Sequence, residues 1–369
     1  MSFKRGSITV ANASRGGKSF RHALHSLFAT CVLVAYWTVA WAHISGAAPL
    51  LYQAGSVDPN LGTERIHVFD AAASGSMNAP TRTIAPGNVT PYSTFVGAVA
   101  DASGNVWASA EGEQIYRYGP TNASLGNWTF GGAGLNGMGY NAIQGWLYVG
   151  NSAGSLMRLD ASSGAVLATA AATGGSFAPT SNAASGKVLN YTGSRTAPVF
   201  WNHSADLSKS RQISMSGASL TNLSVVGLAW LGSDKFYVAD YGGKAVYRFT
   251  LGGIDGDGLY GTASLDTSFA NGGRLDFSSS TTAGPSGLAT DGQWLYLSSY
   301  RGVSTISRYT LDGALVQANV FDTYQGGSLG NETIQQLFIV TVPEPSTWAM
   351  ILTGAAWMVV RRKSLRVRV

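Results

Sequence analysis

Two aspartates, Asp255 and Asp257, flank a single glycine in the stretch Gly252-Gly253-Ile254-Asp255-Gly256-Asp257-Gly258. Two carboxylates on such a turn can meet on one hard cation, and calcium takes six to eight oxygens of this kind. The wider Asp-x-Asp-x-Asp-Gly spacing with a distal Glu is missing, so the ordinary reading is a solvated turn and calcium is the alternative. Two more oxygen donors end strand-like runs: Asp240 in Val238-Ala239-Asp240-Tyr241, and Asn151 after Gly150. Glu64, Glu111 and Glu113 fall just ahead of later runs, in turns, and do not complete a ligand set. His67 and His203 lie in the body and His43 at its front edge, with no His-x-x-x-His pair and no Gly-x-Ser-x-Gly elbow near them. The histidines are expected on the surface of strands or loops. Nothing nominates a nucleophile, and the catalytic expectation is none.

Composition narrows the field. The only cysteine, Cys31, lies in an apolar run near the N-terminus. A chain that has lost that run has no disulfide, no thiolate and no cysteine-based metal site. Of the 24 Lys and Arg residues, five lie before residue 43 and five after residue 345, and neither end holds an acid. The other 14 face 19 acids, so the body carries about −5 although the whole chain carries +5. A nucleic-acid binder concentrates positive charge on its folded domain, which excludes that class. Charged residues are 12% of the chain and glycines number 47. Short strands with frequent turns fit such a composition better than charged helices.

The two ends carry addresses. Lys4, Arg5, Arg15, Lys18 and Arg21 precede an apolar run over 27–41, and Ala40-Trp41-Ala42 supplies the small-x-small exit of a signal peptidase site. Residues 1–42 therefore read as a signal peptide with an apolar helix, with an uncleaved anchor as the alternative. At the other end, Val342-Pro343-Glu344-Pro345-Ser346-Thr347-Trp348 is followed by an apolar run to residue 360 and then Arg361-Arg362-Lys363. Residues 347–360 make about 21 Å of helix at 1.5 Å per residue, short of a hydrocarbon core of roughly 30 Å. That is a marginal, transient membrane helix with its basic end held in the cytoplasm. The two prolines stop it from extending backward.

This tail, residues 341–369, resembles the PEP-CTERM sorting signal, also known as the ice-binding protein C-terminal domain, a name that describes the tail and not an ice ligand. The resemblance implies processing by an exosortase-type membrane enzyme near Val342, Pro343, Glu344 and Pro345, with Arg361, Arg362 and Lys363 as the stop. It also implies a Gram-negative, exopolysaccharide-producing host and a destination at the outer surface or extracellular matrix.

Residues 43–340 repeat. A small-apolar start leads through a Gly-containing turn to an aromatic strand, then to a strand ending in an aromatic-Arg pair. The strong copies run from Val99-Ala100-Asp101 to Arg117-Tyr118, from Met138-Gly139-Tyr140 to Arg158-Leu159, from Gly227-Leu228-Ala229-Trp230 to Arg248-Phe249, and from Gly287-Leu288-Ala289 to Arg308-Tyr309. Weaker copies start at Pro49-Leu50-Leu51-Tyr52 and at Gly186-Lys187-Val188. Units of about 40–45 residues with several short strands mark a propeller, in which no blade buries both faces alone. The small starts are expected on the innermost strands, and Trp107, Trp146, Trp230 and Trp294 are expected to pack between blades. The expected fold is all-β, a six-bladed β-propeller, with seven blades or a β-sandwich as alternatives. A 15-residue excess between the last two strong copies predicts an ordered excursion on one rim, holding Asp255 and Asp257.

The rhythm is similar to NHL-like or gluconolactonase-like propellers. In the metal-dependent propeller lactonases an Asp at a strand end binds the ion, a likeness that implies a metal role for Asp240 with Asn151 converging on the axial channel. The functional expectation is an exported surface or matrix protein whose propeller binds a carbohydrate, polymer or protein on one rim. Its partners are signal peptidase, an exosortase-type enzyme, the membrane through the C-terminal helix, and exopolysaccharide. No cofactor is required, with calcium as the one candidate. The alternative is a metal-dependent propeller hydrolase or lactonase; a passive coat protein is the third reading.

Overall fold

The computed structural model describes residues 49–56, 65–84, 95–110, 112–131, 134–171, 175–194, 197–217, 225–277, 284–299, 305–322 and 333–340, all of which fall in one compact unit over 48–342. The signal residues Ala40 and Ala42 and the sorting residues Val342, Pro343, Glu344, Pro345, Arg361, Arg362 and Lys363 lie outside the described residues. Within them no helix is long and apolar enough to cross a membrane.

Every regular element is a strand, and the strands group by chain order. Strands β1 (Leu50–Ser56), β2 (Arg65–Asp70) and β3 (Arg82–Ile84) begin the chain. Next come β4 (Phe95–Ala100), β5 (Val106–Ala110), β6 (Gln114–Tyr118) and β7 (Ser124–Thr129), then β8 (Leu135–Asn141), β9 (Trp146–Asn151), β10 (Ser155–Asp160) and β11 (Val166–Ala171). A third set is β12 (Ser176–Ser181), β13 (Val188–Ser194), β14 (Ala197–His203) and β15 (Ser210–Ser216). A fourth is β16 (Val225–Leu231), β17 (Lys235–Asp240), β18 (Ala245–Ile254), β19 (Tyr260–Leu265) and β20 (Arg274–Asp276). The last are β21 (Pro285–Thr290), β22 (Trp294–Ser299), β23 (Thr305–Thr310), β24 (Leu315–Asp322) and β25 (Thr333–Val340).

Hairpins build antiparallel sheets in the orders β4-β5-β6-β7, β8-β9-β10-β11 and β21-β22-β23-β24. The strand β25 comes back from the far end of the chain to pair with β1, giving β25-β1-β2-β3. The third and fourth sets share one nine-stranded sheet, because the outer strand β15 pairs in parallel with β19 and β20 adds to β18. The leading strands touch in cyclic order, β25 to β4, β8, β12, β16, β21 and back to β25.

The core follows from that ring. Six apolar clusters form among the described residues, each at a seam between neighbouring sets of strands. Leu51, Phe69, Tyr296 and Phe321 join the last set to the first, and Val99, Trp107, Leu135 and Leu147 join the sheet of β4-β7 to that of β8-β11. Neither side of a sheet is buried until a neighbour arrives, which is the reason for the repeat.

Turn chemistry places the strands. Asp101 Oδ1 accepts from the Ser103 and Asn105 amides at 2.9 Å each, and Gly104, at φ 83°, carries the chain back into β5. Asn141 and Asn182 do the same before β9 and β13, accepting from Ile143 and Gln144 and from Ala184 and Ser185. A short side-chain acceptor that mimics a backbone turn is the reason for Asp or Asn there.

Two expectations are corrected. The weak copies do not begin on innermost strands: Pro49-Leu50-Leu51-Tyr52 enters β1 and Gly186-Lys187-Val188 enters β13, both second strands. Their inner strands are β25 and β12, which the repeat did not reveal. His67 and His203 are not on the surface, being 3% and 2% exposed, and His43 lies outside the described residues.

Candidate functional site

The cross-strand register explains the repeated aromatic and arginine. Trp107 lies opposite Arg117, Tyr148 opposite Arg158, Tyr237 opposite Arg248 and Tyr296 opposite Arg308. Each aromatic crosses a seam to donate to a turn carbonyl of the next sheet. Trp107 Nε1 reaches Ala161 O at 3.1 Å and Tyr148 Oη reaches Ala205 O at 2.6 Å. Tyr237 Oη reaches Leu311 O at 2.7 Å and Tyr296 Oη reaches Ala71 O at 2.9 Å. In the last two seams the arginine follows: Arg248 Nη1 donates to Leu311 O at 2.7 Å, and Arg308 Nη2 to Ala71 O and Ala73 O at 2.8 and 2.6 Å. The motif is a latch between sheets. The tyrosine hydroxyls are correspondingly hard to ionise, with burial pushing Tyr148 and Tyr237 up to about 12.

At the centre of the ring the sheets come very close. The Gln336 side chain of β25 reaches across to β8, donating from Nε2 to Met138 O at 2.7 Å and accepting from the Met138 amide at 3.3 Å. A Cβ on Gly97 would sit 2.5 Å from Gln336 Oε1 and 2.7 Å from Gly137 Cα, so only glycine fits there. What is left is a cavity of about 60 Å³ lined by Asn136, Phe177, Tyr191, Leu228, Leu288 and Gln336 among others, with no carboxylate or imidazole in its wall.

The four oxygen donors singled out in the sequence do not share that centre. Asp255 and Asp257 sit on the hairpin between β18 and β19. Asp255 Oδ1 accepts from the Asp257 and Leu259 amides at 3.0 and 2.8 Å, and its Oδ2 lies 3.3 Å from Arg211 Nη1. The Leu259 amide and Arg211 help hold its carboxyl below the usual carboxylate range. Asp257 lies 3.7 Å from Lys209. Asn151 caps its own turn, its Oδ1 accepting from the Ser155 amide at 2.8 Å. Asp240 ends β17 and is buried. Among the described residues no three of His, Cys, Asp and Glu are grouped to hold a metal ion.

The sequence reading missed two polar features. A buried chain runs through the sheet of β12 to β15: Asn190 Nδ2 donates to Ser176 Oγ, His203 Nε2 meets Asn190 Oδ1 at 2.8 Å, and Ser210 Oγ meets His203 Nδ1 at 2.7 Å. Burial pushes His203 down to about 4, and burial with the nearby Arg65 does the same to His67. The second feature is a groove of about 490 Å³ at the seam between β4-β7 and β8-β11. Asp101, Asn105, Arg117 and Leu125 line one side, Tyr140, Gln144 and Asp160 the other, and Trp107 lies between them. The Trp107 and Tyr140 rings stack at 5.7 Å and 21°. Burial, then the Asp101 charge, raises the Tyr140 hydroxyl. Asp160 is held down to about 2 by bonds from Ser162 and Ser163 and stays a carboxylate.

Known structures share this architecture. One chain of a crystal structure of a nidogen/laminin complex superposes with a TM-score of 0.55 at 13% identity, covering 80% of this chain and 98% of that one. A crystal structure of a protein of unknown function from Bacteroides caccae superposes at 0.52 with 11% identity, covering 79% and 99%. The fold is β-propeller-like. No protein-family model and no curated protein matches the sequence. At these identities the likeness carries the fold alone, so the propeller's task has to be argued from its own surface.

Proposed function

We propose that the chain is an exported protein of the cell surface or extracellular matrix, sorted by a PEP-CTERM and exosortase-type system, whose six-bladed propeller binds a carbohydrate, polymer or protein partner. The cyclic contact of β25, β4, β8, β12, β16 and β21, with one apolar cluster per seam, supports the blade count. The basic-apolar-small front and the Pro-Glu-Pro, apolar and basic tail support the address. The observation that carries the binding role is the contrast between the small central cavity and the larger groove at the rim, whose wall holds the charged side chains Asp101, Arg117 and Asp160. Binding without turnover suits a surface that offers hydrogen-bonding groups but no grouped ligands for a metal.

The full-length chain, expressed in a Gram-negative host with an exosortase, is expected to begin at His43 and to be trimmed near Pro343-Glu344-Pro345, as read by N-terminal sequencing and intact mass. Replacing those three residues by alanine should leave the C-terminus uncut. A product that keeps residues 1–42 in the cytoplasm would overturn the address. Turnover of lactones by the purified chain with added divalent metal would replace the binding role with the hydrolase reading.

A further inference from the structure

We propose that the groove between β4-β7 and β8-β11 binds a neutral pyranose unit of a polysaccharide. This rests on the binding role above and gives it a site and a ligand class.

The hollow lies at a seam whose latch lacks its arginine. At the seams closed by Arg248 and Arg308 the guanidinium crosses into the next sheet and takes its turn carbonyl. Arg117 and Arg158 instead lie over Trp rings of their own sheets, Arg117 4.6 Å from the Trp128 centroid and Arg158 4.1 Å from that of Trp146, and no described group accepts a hydrogen bond from Arg117. Among the described residues Trp107 makes the hydrogen bond across the seam beside Arg117, through Ala161 O, and the groove opens next to it.

The walls of that space suit a sugar. Asp101 and Asp160 present acceptors. Asp101 Oδ1 serves two turn amides and its Oδ2 takes the Asn105 Nδ2 donor at 2.7 Å, while the four bonds to Asp160 all fall on Oδ1. Arg117 presents the donors. A vicinal diol donates and accepts at adjacent oxygens, so it needs both kinds of group within one site. Tyr140 stacked on Trp107, with the half-exposed Leu125 opposite, supplies the apolar surface that a pyranose C–H face packs on. Two carboxylates against one guanidinium leave the groove negative, which disfavours uronates and phosphates. A volume of about 490 Å³ lies in the range of small-ligand sites and is too small for a folded partner.

The test titrates the full-length chain with cellohexaose, maltohexaose, xylohexaose, mannohexaose and a hexagalacturonate, read by calorimetry and tryptophan fluorescence. At least one neutral hexamer is expected to bind and the hexagalacturonate not to. Arg117→Met, which keeps the apolar stem beside Trp128 and leaves the turns intact, should weaken binding at least tenfold, and Leu125→Ala should weaken it several-fold. Ile254→Ala, on the exposed hairpin across the ring, should leave it unchanged. Neutral binding that survives both groove variants would overturn the groove and leave the binding role standing. Binding of hexagalacturonate alone would overturn the ligand class. No binding to any hexamer would overturn the proposal, and a polymer or protein captured and mapped elsewhere on the ring would then show that the wider role holds without it.

Discussion

Two seams of the ring are held in different proportions by backbone and side chains. Between the sheets of β12-β15 and β16-β19 a ladder crosses the seam: β15 and β19 pair in parallel through Ser214, Met215 and Ser216, with Arg211 Nη1 adding bonds to Gly253 O and Leu259 O and Tyr191 Oη one to Val225 O at 2.6 Å. Between the sheets of β21-β24 and β25-β1-β2-β3 the backbone join is smaller, an isolated parallel bridge of Asn78 with Phe321 in which the Met77 and Asn78 amides donate to Asn319 O and Val320 O at 2.8 and 2.9 Å. There buried side chains add to it, with Tyr296 and Arg308 meeting on Ala71 O across more than two hundred residues of chain. The long hairpin of β18 and β19 accounts for the fuller ladder, because it projects far enough to reach the neighbouring outer edge. A ladder spreads its stability over many weak bonds, while a latch concentrates it in one buried cation.

The largest effect that probes this contrast is acid. Each seam adjoins a sheet with a buried, neutral imidazole, His203 in one and His67 in the other, both lowered to about 4. Above pH 6.5 both states are neutral and nothing changes. Between 6.5 and 4 the unfolded chain takes up protons that the folded chain refuses, so stability falls with pH, by on the order of 3 kcal/mol for each histidine. Denaturant midpoints measured at pH 7, 5 and 4 should decline, and His203→Gln should flatten the decline. Midpoints independent of pH would mean that the imidazoles charge freely in the fold.

Next comes the latch. Arg308→Met keeps the apolar stem and removes the donors, stranding Ala73 O and leaving Ala71 O to Tyr296 alone, and is expected to cost about 2–3 kcal/mol by chemical denaturation. A loss under about 0.5 kcal/mol would show that Tyr296 suffices and that this seam is no more concentrated than the other. The smallest effect belongs to the ladder. Arg211→Ala, partly exposed and paired with Asp255, should cost less than about 1 kcal/mol, because the parallel strands remain. An Arg211 loss equal to that of Arg308 would erase the contrast.

Much of this organisation was legible in the residues. The aromatic and the arginine recur because every sheet faces the same packing problem, and cross-strand pairing converts their spacing into contact. The excess between the last two strong copies was legible as an excursion, and it is the hairpin of β18 and β19 with β20 beside it. The inner strands of the weak copies were not legible. Ser176–Ser181 carries Pro179 and polar residues without an apolar start, and Thr333–Val340 lies at the opposite end of the sequence from the sheet it completes. Burial of His67 and His203 was also hidden, since the partners that make it tolerable, Thr83 and Asn190, come from other strands. The acidic pair was chosen by residue type. Its partners Arg211 and Lys209 come from β15 and the turn before it, and only folding brings them there. The groove left no signal at all, because it depends on where Arg117 turns, and Arg117 is identical in type to Arg248 and Arg308, which close other seams.

The strand that seals the circle, Thr333–Val340, is the last one described. A ribosome therefore releases nearly the whole polypeptide before the first sheet has its inner edge. A fragment that stops short of residue 333 is not a smaller version of the domain but an arc with two oily flanks, prone to find another arc. For such a protein, quality control acts on completeness: a nonsense mutation near the end is as damaging as one near the middle.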